Sequence, residues 1–494
     1  MSDPNYLYRV LGLSFLPRAV TFLLTLISFP LMVRGLGAGE YGIIVYLTSV
    51  ATILEIPAGF GVSGAVGKAI AERRTSAPDK VRDEIARWAR WQLKVCFYSL
   101  PVSAIVGYLA VTMWVNEVIP IGLLAVVLLS LYISVFIAFA RAVLTSMLRF
   151  KQLALLDAFE SLTRSAGWCI VGLVLQSVWM LAWAQLATAL CTLGLAIYFL
   201  ISARSVSEPA AVQGNPLDEM AAAANAPGGM FRQSMAFLLL LLGTRAYQAL
   251  PVMLVSKLLG FEVAGILGAF ARIAELVNVP FIIVGNALMV RVPEIHKRGH
   301  HIIARYWDML SRLAVVALGV AIGFWLMSET IAAWMLPGSA LAVSLFAIQS
   351  VQIFFRAVSD LAAPAADYVG GLKRRIYFLT SFAVLQIPVI WLGWYWGGAL
   401  GAVTAMVGSY STMVLGYIAI AKSVFFSGAR YRPPAIVVTG SFLIVVIATV
   451  TVLSVSAWHW RVAMFGGLAL AVFMAWPPLR RTFWPSRLIR FDFL

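Results

Sequence analysis

Residues 34–68, RGLGAGEYGIIVYLTSVATILEIPAGFGVSGAVGK, and residues 257–291, KLLGFEVAGILGAFARIAELVNVPFIIVGNALMVR, superpose without a gap when residue n is laid over residue n+223. Arg34 falls on Lys257, Leu36 on Leu259, Gly37 on Gly260, Gly42 on Gly265, Ile43 on Ile266, Ala51 on Ala274, Pro57 on Pro280 and Lys68 on Arg291. Each copy reads as an apolar helix entering a short basic-Leu-Gly turn, followed by a second apolar helix. The proline at one position in both copies is expected to break or bend that second helix. A helix pair repeated this far apart means a chain of two related halves.

Outward from these stretches, apolar runs of 18 or more residues recur from residue 10 to residue 477. Each is long enough to cross a hydrocarbon core of about 30 Å as a helix. The 494 residues are 62% hydrophobic and 12% charged, about half the charge of a soluble domain, which excludes an ordinary water-soluble globule. Spans are predicted near 10–33, 41–66, 95–115, 119–140, 155–177, 180–202, 234–256, 263–290, 309–328, 340–363, 376–394, 398–420, 435–456 and 461–477. The first is too long for a signal h-region and lacks a small-residue cleavage site, so it reads as a retained helix. The expected fold is an all-α integral membrane protein of about fourteen transmembrane helices, two six-helix pseudo-symmetric halves plus two C-terminal helices. The boundaries read 1–203 for the first half, 204–232 for a cytoplasmic linker carrying Pro209, Pro216 and Pro227, and 233–421 for the second half. An added helix pair follows at 434–478 and a cytoplasmic tail at 479–494. Six spans per half is an even number, so the halves should share one orientation about an axis along the membrane normal.

A net charge of +16 raises nucleic acid as a partner, but the basic residues follow the membrane instead. With the N-terminus inside, predicted cytoplasmic segments hold 28 of the 37 Lys and Arg, and the opposite side holds Arg34, Lys257 and Arg461. That asymmetry predicts both termini in the cytoplasm. Ser76 to Lys94 reads as an interfacial helix anchored by Trp88 and Trp91. The three cysteines are odd in number and carry no disulfide framework.

Gly59, Gly61 and Gly64 match a dinucleotide fingerprint in form only, since no strand precedes them; they read as small residues that let helices approach closely. His296, His300 and His301 lie in a basic loop and read as solvated rather than as metal ligands. There is no phosphate-binding loop, metalloprotease helix or nucleophile elbow. The sequence thus predicts no catalytic residue, no metal and no cofactor, and not an enzyme.

Six arginines fall within the predicted spans: Arg18, Arg164, Arg245, Arg272, Arg312 and Arg356. A guanidinium at mid-bilayer costs about 2.5–3.5 kcal/mol even on the lenient insertion scale, so these side chains must face partners or a wet cavity. Glu160 and Arg164, Arg272 and Glu275, and Arg356 and Asp360 are spaced as structural ion pairs on single helices, while Arg312 is near enough to a cytoplasmic end to snorkel. Arg18 and Arg245 have no acid within four residues, and under the repeat they sit one turn apart on equivalent helices. They are expected to line one cationic central cavity, with Arg272 assisting; the alternative is pairing with a distant acid such as Glu55, which is mid-span and opposite Asn278 in the repeat. Arginine binds phosphate bidentately, but 29 of the 37 basic residues are arginine, so position rather than identity carries the weight.

The stretch Phe29-Pro-Leu-Met-Val-Arg-Gly-Leu-Gly-Ala-Gly-Glu-Tyr-Gly, then Gly59-Phe-Gly-Val-Ser-Gly and Ala69-Ile-Ala-Glu-Arg-Arg, resembles the start of polysaccharide repeat-unit flippases of the Wzx type. These belong to the multidrug/oligosaccharidyl-lipid/polysaccharide (MOP) exporter superfamily. The resemblance implies a flippase that turns undecaprenyl-diphosphate-linked oligosaccharide from the cytoplasmic to the periplasmic leaflet, for O-antigen, capsule or exopolysaccharide. Its implied partners are membrane lipid, the lipid-linked oligosaccharide and other polysaccharide-assembly membrane proteins. In the related lipid II flippases a first-helix arginine lies in a cationic cavity, and Arg18 stands in a similar place. A drug exporter of the same superfamily and a membrane glycosyl enzyme are the competing readings.

Overall fold

The computed structural model describes residues 4–76, 80–115, 119–147, 149–202, 229–298, 300–368 and 372–425. Among them there is no strand. The elements in order are α1 (Pro4–Gly59), α2 (Val62–Ser76), α3 (Val81–Met113), α4 (Ile121–Ser146), α5 (Phe150–Ile170) with a π turn at Val171–Leu175, and α6 (Val178–Ser202). Then come α7 (Gly229–Arg298), α8 (His300–Leu326), α9 (Ser328–Met335), α10 (Ala340–Tyr368) and α11 (Leu372–Phe425).

Seven described helices are long and apolar enough to cross a membrane, or eight if α8 and α9, bent by 59° between Leu326 and Ser328, form one span. Three of these stretches, Thr21–Gly59, Phe237–Ile282 and Arg374–Ile420, run 39, 46 and 47 residues. Straight helices of that length would measure about 60–70 Å, twice the hydrocarbon thickness. Each is broken near its middle, at Gly37, at Gly260 and at Gly397–Gly398, and so supplies two crossings. The arrangement is consistent with about fourteen spans. The predicted pair at 434–478, the tail 479–494 and all but the last residues of the linker 204–232 lie outside the described residues.

The first two breaks carry the repeat. Gly37 has φ 80° and ψ 165°, and Gly260 has φ 83° and ψ 176°. This backbone region is open to glycine almost alone, and the two residues are equivalent under n+223. Only the first of the two prolines stands beside a break. Beyond Pro57, α1 stops at Gly59 and the chain turns through Phe60 (φ 44°) and Gly61 (φ 68°), whereas α7 keeps helical dihedrals through Pro280 to Arg298. The two copies therefore share their glycine turn but not a proline break.

The chain forms two compact units, residues 8–268 in one and residues from 269 onward with 1–7 in the other. In the first, the second limb of α1 crosses α7 at backbone distance. A Cβ on Gly42 would overlap the Phe261 carbonyl and lie 3.0 Å from the Gly265 nitrogen; a Cβ on Gly265 would overlap the Ala38 carbonyl and lie 3.0 Å from the Gly42 nitrogen. Ala38 is equivalent to Phe261 and Gly42 to Gly265, so the repeats meet reciprocally, residue against counterpart. Gly61 and Gly64 also admit a close neighbour, Phe237 and its adjoining backbone in α7, as small residues at a helix crossing should.

Val62, Ala65, Val66 and Ile70 of α2 pack with Trp88 of α3 and with Phe139 and Val143 of α4. Trp88 is 1% exposed and its Nε1 donates to Glu84 Oε1 at 3.0 Å. Arg73 at the end of α2 and Arg87 approach the same carboxylate at 3.5 and 3.4 Å. The expected interfacial helix is thus the first turns of α3 itself, and Trp88 is a core residue clasped by a buried acid rather than a membrane anchor. The exposed apolar side chains of α3 begin further on, with Phe97, Tyr98, Ile105 and Met113. At the π turn of α5, Gly172 lies against Leu31 and Met32, and Gly35 lies against the Gly172 carbonyl. In the second unit α10 packs against α8 and α11, with Phe270 of α7 against Phe346 of α10 at 5.3 Å between ring centroids.

Candidate functional site

Glu55 lies near the end of α1 and Arg245 in the first limb of α7. Arg245 Nη2 donates to Glu55 Oε1 at 2.9 Å, with the side chains 34% and 24% exposed. Arg245 is therefore not an unneutralised arginine: the distant acid is its partner. Arg18 stands in α1, but its side chain lies outside the described residues. In the second copy Glu55 is replaced by Asn278, which is fully buried and whose side-chain amide makes no hydrogen bond among the described residues. The equivalence of the two helices is one of backbone, not of polar contacts.

The second constellation joins α7 to α10. Arg272 Nη1 donates to Glu275 Oε2 at 2.7 Å, as the spacing of three residues predicts. Arg356 Nη2 donates to the other oxygen, Glu275 Oε1, at 3.2 Å. Arg356 thus reaches across to α7, while Asp360, four residues on, keeps Oδ2 buried without a hydrogen-bond partner. One carboxylate thus holds two guanidiniums, one from its own helix and one from a neighbour.

The third constellation repeats this pattern in the first unit. Glu160 pairs with Arg164 on α5, as predicted, and its other oxygen pairs with Arg141 of α4. Arg141 Nε also donates to Asp157 Oδ1 at 3.0 Å. Sequence reasoning missed Arg141 because the apolar run ending at residue 140 was closed by the arginine itself. The structure carries α4 on to Ser146. The available signal was the run Ala142–Leu144 beyond it, in which Val143 and Leu144 are fully buried. Arg312, expected to snorkel, is exposed.

Glu160 and Glu275 are therefore bridging acids, each with two arginines, and Glu55 holds one. Such groups can offer several guanidinium forks to an anion while part of their positive charge is offset without it.

The profile of the polysaccharide biosynthesis protein family matches residues 11–298, which include Glu55, Arg141, Glu160, Arg164, Arg245, Arg272 and Glu275. The chain belongs to this family. Among curated proteins nothing matches it. Solved structures do. The lipid II flippase MurJ in an inward closed conformation is similar at a TM-score of 0.64 and 12% identity, covering 95% of this chain and 97% of that one. An inward-facing multidrug resistance MATE family transporter of the MOP superfamily is similar at 0.58 and 16%, covering 83% and 96%. A MOP superfamily transporter from Pyrococcus furiosus, described by the reverse polarity of its binding pocket, is similar at 0.52 and 16%, covering 90% and 96%. At these identities the likeness establishes the fold: this polysaccharide biosynthesis family member is a multi-pass helical membrane protein built like MOP transporters.

Proposed function

We propose that the protein is a flippase that carries an undecaprenyl-diphosphate-linked oligosaccharide from the cytoplasmic to the periplasmic leaflet of the inner membrane, by alternating access through a cationic central cavity. The single observation that carries this reading is the family match over residues 11–298. The arginine clusters supply a chemistry that suits it. A diphosphate has to shed water to cross an apolar layer of about 30 Å while its polyprenyl tail stays in lipid, and Arg18, Arg245 and Arg272 replace that water with charge-assisted hydrogen bonds. Glu55 positions Arg245. Both termini and the linker 204–232 face the cytoplasm, the two six-helix halves at 1–203 and 233–421 rock about the substrate, and the pair at 434–478 is an addition to them. Neighbouring assembly proteins deliver the substrate on one side and take it on the other.

The MATE likeness at a TM-score of 0.58 favours a second reading, a small-molecule exporter. Cationic drugs call for available acids, and Glu55, Glu160 and Glu275 are each already engaged by arginine. The test is surface-polysaccharide export in cells deleted for the chromosomal copy and supplied with Arg18→Ala or Arg245→Ala. Loss of export at wild-type protein abundance is expected, with only partial rescue by Arg→Lys; normal export by both alanine variants would refute the role of these arginines.

A further inference from the structure

We infer that Glu275 is an internal counter-ion: it occupies the anion-binding face of Arg272 and Arg356 in the empty carrier and is displaced by the substrate diphosphate. The inference rests on the flippase reading and adds to it the means by which the unloaded site returns.

The geometry is that of an anion site already filled. Each oxygen of one carboxylate receives one guanidinium, at 2.7 Å from Arg272 and 3.2 Å from Arg356, and the two arginines come from different helices. Nothing in the spacing of α10 requires this, because Asp360 stands one turn from Arg356 and keeps Oδ2 unpartnered. Arg356 instead converges with Arg272 on a common point, an arrangement suited to one polydentate anion. The site is not sealed, since Arg272 and Glu275 keep 42% and 39% of their side-chain surface accessible. Asp360 on α10, Arg312 on α8 and Arg374 and Arg375 on α11 are further charged groups on the helices packed here.

A diphosphate carries more charge and more acceptor oxygens than a carboxylate, and presents them in a form that planar guanidinium forks grip in pairs. It therefore displaces Glu275, which swings away on its own side chain. After release the carrier has to reorient without substrate, and two guanidiniums that have lost this carboxylate inside the bilayer would oppose that step. Glu275 closes back on them, so the empty carrier moves with one of the two positive charges offset. The loaded form and the Glu275-closed empty form are both permitted to switch, and a carrier with neither anion on these arginines is not.

The test uses the purified full-length chain with farnesyl diphosphate as probe, measuring saturable binding for wild type, Glu275→Gln and Glu275→Asp, alongside export in cells. Removing the competing charge should tighten probe binding about tenfold in Glu275→Gln, while export falls because the empty carrier returns poorly. Glu275→Asp, whose shorter side chain cannot span both arginines, should tighten binding to a lesser degree; it serves if the glutamine variant fails to fold. Probe affinity in the folded variants no tighter than wild type, or wild-type export by Glu275→Gln, overturns the inference. If wild type shows no saturable binding at any concentration, the flippase reading itself falls. Wild-type binding that is unchanged by either variant removes only the counter-ion role.

Discussion

Arg141 gives the most direct energetic test of the arrangement, because its partners stand on a neighbouring helix and the pair can be taken apart one charge at a time. Arg141→Met keeps the length of the aliphatic stem and removes two charge-assisted contacts, one to Asp157 at 3.0 Å and one to Glu160. Contacts of this kind contribute about 1.5–3 kcal/mol each when fully buried. Here Arg141 and Asp157 are 36% and 38% exposed and Glu160 is 14% exposed, so solvent screening reduces the sum to about 1–2 kcal/mol. Glu160→Gln should cost about the same alone, since it leaves Arg141 and Arg164 with weaker acceptors. Combined with Arg141→Met it should cost distinctly less than the sum of the two, with a coupling energy of about 1 kcal/mol. The measurement is a double-mutant cycle on purified variants unfolded by denaturant titration in mixed micelles. Additivity within about 0.3 kcal/mol would show that the two side chains do not interact, and that Arg141 belongs to the cytoplasmic loop where the apolar run alone would put it.

Gly265→Val should reduce folded protein in the membrane severely and Gly42→Ala should do so comparably, by about 1–3 kcal/mol of overpacking, because each new Cβ meets opposing backbone that cannot turn aside; Gly39→Ala, with nothing within 4 Å, should match wild type in abundance and melting, and a loss there equal to that at Gly42 would refute the close-crossing argument. Glu84→Ala should destabilise by about 2 kcal/mol, as it strips a buried acceptor from Trp88 and a counter-charge from Arg73 and Arg87; Trp88→Phe should cost less, and an unchanged thermal melt for Glu84→Ala would count against the clasp.

The parts of this fold legible in the sequence are those written locally. The glycine turn at 37 and 260 was visible because one backbone conformation demands one residue type, and hydrophobic run length announced the crossings. Partners on one helix were visible for the same reason: Arg164 with Glu160, and Arg272 with Glu275, obey a spacing. The bond of Arg356 to Glu275 was not, because no spacing on its own helix announces an acid 81 residues away. The link of Arg245 to Glu55 spans 190 residues and could be named only as an alternative. Trp88 was misread for a related reason. A tryptophan among arginines looks interfacial along one helix, and only the packing of α2 and α4 over it makes it core. Pro57 and Pro280 show the limit of the repeat, since the same residue ends a helix in one copy and is carried within it in the other.

The crossing of Gly42 with Gly265 has an evolutionary consequence. Contacts in which residue i meets j while j's counterpart meets i's are the mark of a two-fold interface between identical partners. Here Ala38 with Gly265 and Phe261 with Gly42 satisfy that relation, and Val45 with Gly268, equivalent to each other, sit on the same line. A chain holding a single copy would meet its twin through the same glycine, so the surface now enclosed within one polypeptide has the form of a former dimer contact. Before fusion, one nucleotide change at that codon would have altered both sides of the contact at once. After fusion each side is free to change alone, but backbone against backbone leaves no side chain with which either copy could compensate for the other.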